Sequence, residues 1–133
     1  MKFTDKEDLN KTLTIIHACQ VNALIEFSFN LPSDFYNLTN PNNIKGLSIK
    51  QYVDKDFKIQ LTLQNKAELI KILAENFEEG EICHYTFYSA DLKIGKGFDH
   101  CEINFLDPVY FVFTKDHYSN LINDDIKFVK LEQ

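Results

Sequence analysis

Apolar and polar residues alternate along 23–31, ALIEFSFNL. Ile25, Phe27, Phe29 and Leu31 fall on one side, and Glu26, Ser28 and Asn30 on the other. A period of two predicts a half-buried strand, closed by Pro32-Ser33-Asp34. Ahead of it the period is helical. Leu9, Leu13, Ile16 and then Cys19 or Gln20 recur at the spacing of one helix face, which predicts a helix from Thr4 to about Gln20. Thr4 and Glu7 fit a capping box, and Asp5, Glu7 and Asp8 put negative charge where the helix dipole favours it. Residues 33–46 read mostly as loop. Alternation returns over 47–53 and 57–63, with Asp54-Lys55-Asp56 as a hairpin connector.

Asn65 with Glu68 opens a second predicted helix, which runs through Leu69, Ile70, Leu73 and Phe77 and stops at Gly80. Strands follow at about 81–90, 98–106 and 109–114, with Gly95-Lys96-Gly97 in a turn and Asp107-Pro108 separating the last two. A helical turn near 116–123 and a strand at 125–131 complete the pattern. Short turns between neighbouring strands favour antiparallel pairing. The predicted class is α+β, an antiparallel β-sheet of about five to seven strands packed on one face by one or two helices. A length of 133 residues with no repeat, linker or low-complexity stretch predicts a single globular domain over 1–133.

Charge narrows the function. Twenty acidic residues stand against fourteen lysines, and there is no arginine, for a net charge of −6. Arginine is the usual bidentate clamp for phosphate and carboxylate, and a negative body is repelled by nucleic acid and anionic membranes. Neither is expected as a partner. The wealth of Phe, Ile, Lys, Asn and Tyr points to AT-rich codons and a bacterial source. The N-terminal MKFTDKEDLNKTL lacks the apolar segment of a signal peptide, and no apolar run approaches the ~20 residues that span a bilayer. Cys19, Cys83 and Cys101 are an odd number, as expected of free thiols in a reducing cytoplasm.

Reactive constellations are weak. Cys83-His84 and His100-Cys101 mirror one another, and pairing about residue 92 would set Cys83 against Cys101 and His84 against His100. Neighbours in a strand point to opposite faces, so the four cannot close on one zinc without a bulge. A cysteine nucleophile needs a base within reach, and His84, His100 and His117 stand in no local signature. Gly95-Lys96-Gly97 lacks the flanks of a phosphate loop. No pair of carboxylates is marked out for acid–base work. No catalytic residue, metal ligand or cofactor is expected. Tyr85, Phe87, Tyr88, Phe98, Phe105, Tyr110, Phe111 and Phe113 read chiefly as a Phe-rich core, and otherwise as an apolar pocket or contact patch.

Acids do cluster. Glu75, Glu78, Glu79 and Glu81 flank the end of the second helix, the negative end of its dipole. Asp99, Glu102, Asp107, Asp124 and Asp125 add to the field. Acids placed against a local rule suggest a contact face for a basic partner.

In size, charge and the clusters Glu75/Glu78/Glu79/Glu81 and Asp124/Asp125, the chain resembles bacterial toxin-immunity proteins, including those of contact-dependent growth inhibition. The resemblance implies a non-enzymatic inhibitor of one cognate toxin, such as a basic nuclease domain. The expected contact residues are Glu75, Glu78, Glu79, Glu81, Asp99, Glu102, Asp124 and Asp125. Two other readings stay open: a cystatin-like or NTF2-like domain around an apolar pocket, and a homo-oligomeric module with Tyr110 and Tyr118 in its seam.

Overall fold

The computed structural model describes residues 7–29, 58–77, 82–98, 102–114 and 126–131. Along them run α1 (Glu7–Ala18), β1 (Ala23–Phe29), β2 (Lys58–Leu61), α2 (Lys66–Asn76), β3 (Ile82–Ser89), β4 (Leu92–Phe98), β5 (Ile103–Leu106) and β6 (Ile126–Phe128). The strands form one sheet in the order β2-β1-β3-β4-β5-β6. Neighbours are antiparallel except β5 and β6, which run parallel. The fold is α+β, as the periodicities predict. The expected strand at 47–53 and helical turn at 116–123 lie outside the described residues.

The core sits on one face of the sheet. Ala23, Ile25 and Phe27 of β1, Ile59 and Leu61 of β2, and Tyr85 and Phe87 of β3 join Leu9, Leu13 and Ile16 of α1 and Leu69, Ile70 and Leu73 of α2 in one cluster. Fully burying such a side chain contributes about 1.5–3 kcal/mol relative to leaving it in water. On the other face Glu26, Ser28, Gln60 and His84 are exposed. Helix α1 ends at Ala18, short of the expected Gln20, and is more enclosed than a single apolar stripe implies. Leu9 through Ile16 is buried without a break, Asn10, Lys11, Thr12 and Thr14 included. The Thr14 hydroxyl donates to the Asn10 carbonyl at 2.7 Å, which satisfies it inside the helix.

Several expectations need correction. The Gly95-Lys96-Gly97 stretch is strand β4, not turn. Gly97 stands opposite Tyr85, whose ring fills the place of a Cβ; a Cβ there would lie 2.1 Å from it. A Cβ on Gly95 would meet Leu106 and Phe111 at 3.0 Å. The glycines yield their inner face to rings from neighbouring elements. The turn itself is shorter, Ala90 and Asp91 between the paired Ser89 and Leu92. The strand expected over 98–106 is therefore divided between β4 and β5.

Residues 109–114 are not a strand. Tyr110 N–H donates to the Asp107 carbonyl and Val109 N–H to Asp107 Oδ1, both at 3.0 Å. Asp first and Pro second are what a tight turn favours. The chain then passes the end of α1, where Gln20 N–H donates to the Tyr110 carbonyl at 2.9 Å and Val112 N–H to the Ala18 carbonyl at 3.0 Å. A single bridge, Cys19 to Phe111, results.

Helix α2 stops at Asn76, before Gly80, because Phe77 turns extended while its N–H still reaches the Leu73 carbonyl at 3.1 Å. Asn65 does not cap through its side chain. Its Oδ1 accepts from Thr62 N–H at 2.8 Å and its Nδ2 donates to the Gln60 carbonyl at 3.0 Å, which ties the helix start to β2.

Candidate functional site

Helix α2 presents Ala67, Ile70, Lys71 and Ala74 along one side, the spacing of a single face. With Glu75 and with His17 from the last turn of α1 they line a groove of about 460 Å³. Ile70 and Ala74 form an apolar floor, and His17, Lys71 and Glu75 form a polar rim. An apolar centre with a polar margin is the usual anatomy of a protein contact. The last turn of α2 holds no basic residue, so the Glu75 carboxylate sits at the negative end of the helix dipole, with Lys71 one turn back on the same face.

The electrostatics beside this groove centre on Lys66. Its ammonium donates to the carbonyls of His17 (3.1 Å) and Cys19, and so caps the C-terminal end of α1 from the first residue of α2. Burial pushes the Lys66 ammonium down from its ordinary range. Burial, and then the charge of Lys66, hold the His17 imidazole below the usual histidine range. The Cys19 thiol is wholly buried, donates to the Val21 carbonyl at 3.4 Å and is pushed upward by burial. Burial likewise raises Cys83. Both thiols are thereby biased toward the protonated form, the opposite of what a nucleophile needs.

Of the expected contact residues, Glu75 lines the groove and Glu102 is exposed in the turn ahead of β5. Glu78, Glu79, Glu81, Asp99, Asp124 and Asp125 lie outside the described residues. Asp107 serves its turn and is buried. His100 and Cys101 also fall outside. The register of β3 and β4 nevertheless corrects the mirror pairing. Tyr85 is opposite Gly97, so the chain folds about Ala90-Asp91 and not about residue 92. Continuing that register brings His84 to Phe98, and their rings meet edge to face at 5.9 Å. Among the described residues no three His, Cys, Asp or Glu side chains come together as a metal site, and no helix is long and apolar enough to cross a membrane.

A second surface was not anticipated as a unit. On the sheet face away from the core, Lys96 of β4 lies over the rings of Phe98 and Phe105, at 5.6 and 5.7 Å from their centroids. The rings meet each other edge to face at 6.5 Å. Phe98 is 38% exposed and Ile103, its partner in the register, 42%. Lys127 of β6 stands opposite Phe105. The available sequence signal was alternation: Lys96, Phe98, Ile103 and Phe105 share a face once residues 92–98 are read as strand.

Charge is divided along the chain as well. The described residues carry acids and lysines in equal number, so the whole excess of −6 belongs to segments outside them. No protein-family model, no curated protein and no solved structure matches this chain.

Proposed function

We propose that the protein works by binding, as a cytoplasmic immunity protein that neutralises a cognate bacterial toxin through an acidic contact face. The observation that carries this reading is Glu75. It is exposed on the rim of an apolar-floored groove, at a helix end where an acid is locally unfavourable and where the last turn holds no basic residue. A residue held against its local preference beside an apolar floor suits a partner that brings a cation and an apolar side chain together. The sequence neighbours Glu78, Glu79 and Glu81 extend the same negative run. The thiols of Cys19, buried, and Cys83, half-buried, are both raised by burial and give no support to cysteine chemistry. The partner is therefore a basic protein domain, with a nuclease as the leading kind.

The test is affinity between the full chain and candidate basic toxin domains taken from its gene neighbourhood, measured at low and high salt. Glu75→Lys is expected to weaken binding about tenfold or more, with the thermal midpoint little changed. Binding that is indifferent both to this reversal and to salt would remove the acidic-face reading.

A further inference from the structure

The outer face of the sheet differs in sign and chemistry from the acidic segments. Lys96 rests on two phenylalanine rings, and Lys127 stands opposite one of them. Among the described residues no carboxylate pairs with either ammonium. Phe98 and Ile103 keep much of their surface in water beside them. An ammonium partly desolvated on aromatic rings binds a carboxylate more strongly than one in bulk water, because the surrounding rings lower the local screening. We infer that this face docks an acidic, apolar segment of a protein partner, its carboxylates meeting Lys96 and Lys127 and its apolar side chains covering Phe98 and Ile103.

Single-stranded nucleic acid is the competing occupant, since it too joins negative charge to flat apolar groups. Two observations disfavour it. The Lys96 ammonium lies over both rings, so those faces are not open platforms for bases. The net charge of −6 repels a polyphosphate more strongly than it repels a short segment with a few carboxylates. This surface is separate from the groove that holds Glu75, and the inference does not depend on the identity of the toxin.

The experiment is a titration of the isotope-labelled full chain, followed by amide correlation spectra at low salt. The probes are a synthetic peptide alternating Asp with Leu and Phe, the same peptide with Asn for Asp, and an oligothymidylate. The expected result is saturable shifts at His84, Lys96, Phe98, Ile103, Phe105 and Lys127 with the acidic peptide alone. Lys96→Gln with Lys127→Gln should weaken that binding about tenfold, and both sites are on the surface, so the fold is retained. Absence of shifts on this face overturns the inference, as do equal shifts with the Asn peptide. Shifts with oligothymidylate alone would reassign the face to single strands. Shifts on concentrating the chain without peptide would reassign it to a second copy. Because none of the probes is the toxin, failure here leaves the role of Glu75 standing, and failure of Glu75→Lys leaves this face standing.

Discussion

A methyl group at position 97 would lie 2.1 Å from the Tyr85 ring. The ring has nowhere to go. It is 1% exposed, meets Phe87 edge to face at 5.4 Å, and its hydroxyl donates to Asn104 Oδ1 at 2.7 Å. Overpacking of this kind costs about 1–3 kcal/mol, and Gly97→Ala should lower the urea midpoint accordingly. Tyr85→Leu takes the ring away. When the two substitutions are combined, the penalty of Gly97→Ala should shrink, a coupling that a double-mutant cycle reads directly. An unchanged penalty would mean that the ring is not the obstacle. Ala90 makes the opposite case. It is a non-glycine residue with φ of 53°, in the left-handed region at the first of two loop residues. Ala90→Gly should raise stability by about 0.5–1 kcal/mol, seen as a higher thermal midpoint. Neither position was readable from pattern. A glycine facing a neighbour's ring leaves no apolar signal of its own, which is why residues 92–98 resemble a turn until Tyr85 is placed opposite them.

Two helices meet where Lys66 caps α1, and this junction sets an acid response. The end of α1 already holds one ammonium, so a second positive charge on His17 is resisted, on top of the resistance from burial. The folded imidazole therefore titrates below the unfolded one, whose value is about 6.5. Between those two values the unfolded chain binds the proton and the folded chain does not, so this contribution to stability is present above about pH 6.5 and is lost as pH falls through the folded value. Denaturation midpoints of the protein and of His17→Gln should run together above that window, where His17 is neutral, and diverge below it, where the protein loses stability that the variant keeps. Lys66→Met should move the His17 resonance titration upward and destabilise α1 by about 0.5–2 kcal/mol, the worth of a cation at a helix end. A His17 titration that stays in place would show that burial alone depresses it. The two helices were legible because each spaces Leu and Ile at the period of a face. Their junction was not, because a lysine serving another helix's carbonyls looks in sequence like any solvent-facing lysine. The alternation of β1 and β2 was likewise legible, while the parallel pairing of β5 with β6 was not, since the residues of a short edge strand do not state the direction of their neighbour.

For the molecule as a whole, the separation of charge matters more than its total. The described framework is balanced, and the excess acid is carried by segments that include Glu78, Glu79, Glu81, Asp99, Asp124 and Asp125. A basic partner approaching from a distance senses the sum of these charges, whereas its residence depends on the groups it finally touches. The two can be moved independently. Lys93 and Lys130 line a small cavity of about 220 Å³ beyond β4, away from Glu75. Replacing both by Gln makes the body more negative without altering the α2 groove. The association rate with the basic toxin domain should then rise a few-fold at low salt and return to the parent value at high salt, with the dissociation rate unchanged. Glu78→Gln, Glu79→Gln and Glu81→Gln together should slow association in the same measurement. Glu75→Lys should act mainly on dissociation, because that carboxylate is proposed to be buried in the contact. Stopped-flow mixing across a salt series separates these effects. Association rates that ignore both sets of substitutions would mean that the negative charge serves solubility and steers nothing.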